Sequence, residues 1–141
     1  MNLRLVSLMG VKFDREVYEV MVPTPDGIIA IFPDHEALIS LLVPGVLSVR
    51  YDKTDPDEKL EHFAVSGGVV EIGANKVKVL ADEADHGDEI VESEAKAALE
   101  RALKDKSEAK DQVELDRAHE LIDRHAVRLK VAELRRHHRR I

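Results

Sequence analysis

Three places in this sequence hold residue types that could do chemistry: Ser66-Gly67-Gly68, the loop Pro33-Asp34-His35-Glu36, and the remaining histidines. Ser66-Gly67-Gly68 would suit a nucleophile turn or a phosphate loop. It is not Gly-x-Ser-x-Gly, however, and it lacks the lysine and following helix of a P-loop. It reads instead as a β-bulge or a tight strand connection. His35 and Glu36 would make an acid/base pair, but no second carboxylate cluster or nucleophile accompanies them. His35 is therefore read as a loop histidine that orders its own turn or touches a partner. The spacings of His62, His86 and His119 suggest no shared metal site, and adjacent positions such as His137 and His138 point apart on a helix. With no cysteine, disulfides, thiolate zinc sites and cysteine nucleophiles are excluded together. No catalytic residue and no metal site is assigned.

The end of the chain carries a different kind of signal. Between Arg124 and Ile141 stand seven basic residues (Arg124, Arg128, Lys130, Arg135, Arg136, Arg139 and Arg140) and one acid, Glu133. That is net +6 over 18 residues on a protein of net charge -7. Cations favour a helix C-terminus, but one or two suffice for that. Two readings stand: a solvated basic tail, or a docking surface for an acidic partner whose binding weakens with salt.

The elements that must position these residues fall into two kinds. The chain has 141 residues, and all its prolines and glycines lie at or before Gly87. From Asp88 to Ile141 run 54 residues without a glycine, proline or aromatic. Residues 1–87 hold 8 basic and 15 acidic side chains, and residues 88–141 hold 13 of each. The first part reads as eight to ten short strands, for example 3–8, 17–22, 46–51 and 76–80, separated by turns such as Pro25-Asp26-Gly27 and Gly73-Ala74-Asn75. Strands so closely spaced predict mainly antiparallel sheets in a sandwich or flattened barrel with an aliphatic core.

The second part, 88–141, predicts an antiparallel two-helix hairpin. Asp88 is expected to cap the first helix, whose inner face is Ile90, Ala97, Ala98, the stem of Arg101, and Ala102 or Leu103. The turn is placed at 104–111. The second helix presents Leu115, Ala118, Ile122, Ala126, Leu129 and Ala132. Such a hairpin must pack on itself, on the β part or on a partner, and several possible seats would make it a moving part. The start of the chain lacks the layout of a secretion signal or transit peptide, and no apolar run approaches a bilayer span. The expectation is a soluble protein that meets a membrane only through a partner.

Several motifs occur in an order that resembles a known family. They are Thr24-Pro25-Asp26-Gly27, Ile31-Phe32-Pro33-x-His35, Leu41-Leu42-x-Pro44-Gly45-Val46-Leu47, Phe63-Ala64-Val65-Ser66-Gly67-Gly68 with Val70-Glu71, and Asn75-Lys76-Val77-x-Val79-Leu80-Ala81-Asp82. With Arg128-Leu129-Lys130-Val131-Ala132-Glu133-Leu134 in the second helix, they resemble the epsilon subunit of the F-type ATP synthase, called delta in mitochondria. The resemblance implies a non-catalytic rotor subunit on the cytoplasmic face of a bacterial membrane. Its β-sandwich would sit with the gamma subunit on the c-subunit ring, coupling proton flow to catalysis in the alpha/beta head. It further implies a hairpin that either folds on the sandwich or extends into the head to block ATP hydrolysis through basic residues. Asp34, His35, Arg135, Arg136, Arg139 and Arg140 are the expected partner contacts, with Arg124 and Arg128 alongside.

Some members bind ATP in the folded hairpin through an Asp and an Arg early in the first helix. Here Val91 and Glu94 stand at those places, while Arg101, Arg124 and Arg128 match later basic positions. An acid beside phosphates is costly, so weak or absent ATP binding is expected and no cofactor is assigned. The family usually has glycine where Ala30 and Asp34 stand, which predicts a distinct loop geometry near the ring. Two competing classes are a free-standing module whose basic helix grips an acidic partner or nucleic acid, and a small enzyme. The acidic β part and the lack of late aromatics argue against nucleic acid, and no assembled site supports an enzyme. Protonation of His119, His125, His137 and His138 below about pH 6.5 gives one further expectation, that acid strengthens docking of the tail.

Overall fold

A computed structural model describes the backbone of residues 1–140 and the side chains of residues 1–137. Ten strands come first: β1 (Asn2–Ser7), β2 (Gly10–Glu16), β3 (Glu19–Thr24), β4 (Gly27–Ile31), β5 (Leu38–Leu42), β6 (Gly45–Arg50), β7 (Glu61–Val65), β8 (Gly68–Gly73), β9 (Lys76–Ala81) and β10 (Ala84–His86). The helices α1 (Glu92–Ser107) and α2 (Gln112–Arg140) follow. One sheet has the order β2-β1-β9-β8-β5 and the other β10-β7-β6-β3-β4. The expected β-sandwich followed by two helices is what the chain forms.

β9 shows why these segments become strands. Val77, Val79 and Ala81 are buried while Lys76, Lys78 and Leu80 face out, the two-residue period of a sheet with one covered face. All pairings are antiparallel except β1 with β9, which sets Leu3 beside Val77 and Leu5 beside Val79 in parallel. No crossover helix makes that pairing, because the strands β2 to β8 supply the connection. Leu3, Leu5, Val70 and Val79 of one sheet meet Val20, Val22, Leu47 and Val49 of the other, all fully buried. Phe13 and Phe63 lock the centre edge to face, 5.6 Å apart.

The β8–β9 hairpin turns through Ala74 and Asn75 at φ of 50° and 58°, the signature of a type I′ turn. Asparagine tolerates this left-handed backbone and alanine does not. Ala74→Asn is expected to raise unfolding stability by about 1 kcal/mol, read from the urea midpoint at unchanged slope.

The helices differ from expectation in four ways. Asp88 does not cap α1; it lies in a 3-10 turn at Gly87–Glu89, where its N–H donates to His86 Nδ1 at 3.0 Å. The chain runs extended through Ile90 and Val91 before α1 begins, because Ile90 is buried in the seam between the helices and the sandwich. The inner face of α1 is Ala95 and Ala102, with Ala97, Arg101 and Leu103 exposed, so the buried stripe is rotated from the expected one. Third, α1 continues to Ser107 and the turn is confined to residues 108–111. There Asp111 Oδ1 accepts the Glu114 N–H at 2.8 Å and opens α2. On α2, Ala126 is exposed and Val131, absent from the expected stripe, is fully buried.

Candidate functional site

The last turns of α2 lie across the second sheet on a narrow apolar seat. Val131 and Ala132 pack there with Ala64 of β7, Ile90 and Ala95, with Val46, Val127 and Leu129 half-buried around them. β7 is therefore covered on both faces, Phe63 and Val65 by the sandwich core and Ala64 by the helix. Gly87 lets α2 come down: a Cβ there would meet Val131 Cγ1 at 3.4 Å.

Arginines flank this seat in a row. Arg124 Nε lies 3.0 Å from Glu83 Oε2, and Arg128 donates to Asp85 Oδ2 at 2.5 Å. Arg135 donates to the Gly87 carbonyl at 3.1 Å and sets Nε 2.8 Å from Asp88 Oδ1. Arg136 reaches Glu92 Oε1 at 2.9 Å. Four arginines of the basic tail are thus paired with carboxylates of their own chain along the strip that joins sandwich to hairpin. Sequence reasoning singled out the arginines but missed Glu83 and Asp85, and read Asp88 only as the cap of the first helix. Arg139 and Arg140, expected partner contacts, have side chains outside the described residues, as does His138.

Arg101 is exposed on α1 and lines, with His125, Lys104 and Glu108, an open groove of about 370 Å³ between the helices. Arg124 and Arg128 face away to Glu83 and Asp85. His125 Nδ1 is buried without a hydrogen-bond partner. Burial, then the charges of Arg124, Arg128 and Arg101, hold its imidazole below the usual value, against a smaller opposing pull from Glu83.

The sign follows from which state takes the proton. Above about pH 7 the ring is neutral whether α2 is seated or free, and nothing is lost. Below about pH 6.5 the free ring gains a proton that the seated ring resists, so seating weakens as pH falls. Protection factors of the α2 amides, each corrected for the intrinsic exchange rate at its pH, are expected to fall from pH 7.5 to 5.5, and His125→Asn to flatten that dependence. At the sandwich, then, acid is expected to loosen the tail.

The loop bearing Asp34 and His35 joins β4 to β5. Asp34 has φ 65° and its N–H donates to Asn75 Oδ1 at 3.1 Å. The aspartate therefore holds a left-handed backbone that glycine favours, while Ala30 is an ordinary strand residue opposite Met21. His35 Nδ1 lies 2.7 Å from the Glu36 carbonyl and donates to it, which orders the turn. Ser66 is structural: its Oγ accepts the Glu83 N–H at 2.9 Å and its N–H donates to Glu83 O at 3.0 Å, pinning the crossover from β7 to β8. His86 Nε2 donates to Glu61 Oε2 at 3.1 Å while Nδ1 accepts from Asp88, and His62 Nδ1 lies 2.8 Å from Ser48 Oγ. Among the described residues no group of three His, Asp or Glu is arranged to hold a metal ion, and no helix is long and apolar enough to cross a membrane.

The outer face of the first sheet was also missed. Val6, Leu80, Val69 and Leu41 form one row across β1, β9, β8 and β5, ending near Leu8 and Met9, which are 85% and 89% exposed. The available signal was Leu80, an apolar residue at an outward position of an otherwise alternating strand.

Residues 1–87 match the family described as ATP synthase, Delta/Epsilon chain, beta-sandwich domain. The ATP synthase epsilon chain of Herpetosiphon aurantiacus is 38% identical over 138 residues, spanning 96% of each chain. That of Neisseria meningitidis is 36% identical over 141 residues, 99% of this chain and 98% of the other. A chain in the cryo-EM structure of the Euglena gracilis mitochondrial ATP synthase (OSCP/F1/c-ring) superposes with a TM-score of 0.77 at 24% identity, over 93% of this chain and 79% of that one. One from the Tetrahymena thermophila mitochondrial ATP synthase central stalk/c-ring gives 0.58 at 17%, over 94% and 96%. At these identities the two structures speak to the fold alone. The resemblance read from the ordered motifs is upheld by sequence relatives that run the length of the chain, and the chain belongs to the ATP synthase delta/epsilon family, a subunit of that machine and not a catalyst in itself.

Proposed function

We propose that the chain is the foot of the central rotor in a proton-translocating F-type ATP synthase. In this reading the first sheet docks the gamma subunit. The loop at Asp34 and His35 meets the c-subunit ring, and rotation of that ring is coupled to ATP synthesis in the alpha/beta head. The observation that carries it is the apolar row Val6, Leu80, Val69 and Leu41. It is continuous across four strands on a face that otherwise bears Arg4, Lys78 and Glu71. A solvent-facing band of this kind marks a protein interface. The complex would place the chain peripherally on the cytoplasmic face of the bacterial membrane, with no direct lipid or nucleic-acid partner.

The sandwich, 1–87, is the docking part and the hairpin, 88–141, the regulatory part. When the hairpin leaves its seat, Arg135, Arg136, Arg139 and Arg140 face an acidic segment of the head and slow ATP hydrolysis. Arg101, Arg124 and Arg128 make at most a weak nucleotide site, since Glu94 adds negative charge at the start of α1 and two of the three arginines are already paired.

ATP hydrolysis by the catalytic head, with the full chain and with a version ending at Gly87, tests this. Suppression by the full chain alone supports an inhibitory hairpin. Binding by both without suppression leaves a coupling foot and removes the inhibitor. Failure of either form to co-purify with gamma and the c ring would overturn the rotor reading.

A further inference from the structure

Residues 82–94 contain seven acids and no lysine or arginine, and 124–141 carry net +6. The fold lays one stretch along the other. Glu83, Asp85, Asp88 and Glu92 each take one arginine, in chain order, from Arg124 to Arg136. The apolar seat between them is slight, because three of its five buried residues are alanines. Much of what keeps α2 on the sandwich must then come from partly exposed ion pairs, which salt screens and competing carboxylates displace.

We propose that the strip Glu83, Asp85, Asp88 and Glu92 is a built-in competitor for the α2 arginines. Seating of the hairpin is then set by ionic strength and by any acidic protein surface that offers those arginines a second row of carboxylates. The strip and the partner compete for the same guanidinium groups, so every seated pair is one the partner must displace. Its electrostatic part stands on the chain alone. The step to an acidic surface of the catalytic head rests on the functional reading above.

The chain has no cysteine, so Lys53→Cys in the sandwich and Glu133→Cys on α2 give a clean label pair for energy transfer in the full-length protein. Raising KCl from about 0.01 to 1 M shortens the screening length from about 30 to 3 Å. Across that range the seating equilibrium is expected to fall at least tenfold. Glu83→Gln, Asp85→Asn, Asp88→Asn and Glu92→Gln together are expected to open the hairpin already at low salt and to flatten the response. Poly-L-glutamate should open the native chain at low salt.

Exchanging charges, Glu83→Arg with Arg124→Glu and Asp85→Arg with Arg128→Glu, should restore seating. That result would separate the latch from a general folding defect, and an unchanged melting transition of the sandwich supplies a second check. Seating that ignores salt, or a neutralised strip that stays as closed as native, would overturn the latch. The neutralised chain should also suppress hydrolysis by the head at about tenfold lower concentration. An opened hairpin without that gain would leave the latch standing and overturn the inhibitor reading instead.

Discussion

Gly68→Ala is expected to destabilise the sandwich by more than about 3 kcal/mol and to leave little folded protein at 37 °C. Gly68 begins β8 directly after the crossover from β7. A Cβ built there would stand 1.9 Å from Leu80 O and 2.9 Å from Ala81 Cα. Those atoms are backbone of β9, a strand hydrogen-bonded on both sides by β1 and β8, so no side-chain rotation relieves the clash. Relief requires pulling β8 from β9 at the point where Gly68 pairs with Ala81. At φ 157° the position also disfavours any L side chain. Gly27→Ala is the control, since a methyl group at that position would meet nothing within 4 Å. It should cost about 1–2 kcal/mol from backbone strain alone. Urea unfolding measures both, and equal losses would show that the close approach at β9 is not what demands glycine.

The same crossover shows why one level of the fold was legible and the next was not. Ser66-Gly67-Gly68 reads as a tight strand connection because two glycines after a serine suit no helix and no complete catalytic motif. What it connects is a long-range fact: Ser66 holds Glu83, 17 residues on, and β1 lies parallel to β9 across most of the sandwich. Alternation in Lys76-Val77-Lys78-Val79-Leu80 announces a strand because its period is local. The helices are less explicit. An alanine-rich helix has no bulky stripe to orient it, so its buried face is chosen by whatever it docks on. The seam around Ile90 and Val131 selects Ala95 over Ala97, and Ala102 is buried two turns further along the helix. The arginine row was visible as an excess of charge, whereas its partners lie 43 residues away for Arg128 and 48 for Arg135 at the Gly87 carbonyl. Nothing local pairs residues so far apart.

Arg50→Met is expected to cost about 3–5 kcal/mol, second only to the change at Gly68. Arg50 leaves β6 and donates through Nε to Glu19 Oε2 at 2.7 Å, with the two side chains only 15% and 11% exposed. Its other nitrogens hold the loop before β7, one on Asp55 O at 2.5 Å and one on Asp57 Oδ1 at 2.7 Å. Without the guanidinium, Glu19 is a buried carboxylate with no cation, and burial alone favours its neutral form. The variant should therefore regain stability as pH falls from 7 towards 5, because its folded state then takes up a proton more readily than its unfolded state. Replacing both residues, Glu19→Leu with Arg50→Met, removes the stranded charge and should recover most of the loss, leaving the cost of the freed loop. A double variant as unstable as Arg50→Met alone would place the whole effect in the bonds to Asp55 and Asp57, and the pH profile of the single variant would then be flat.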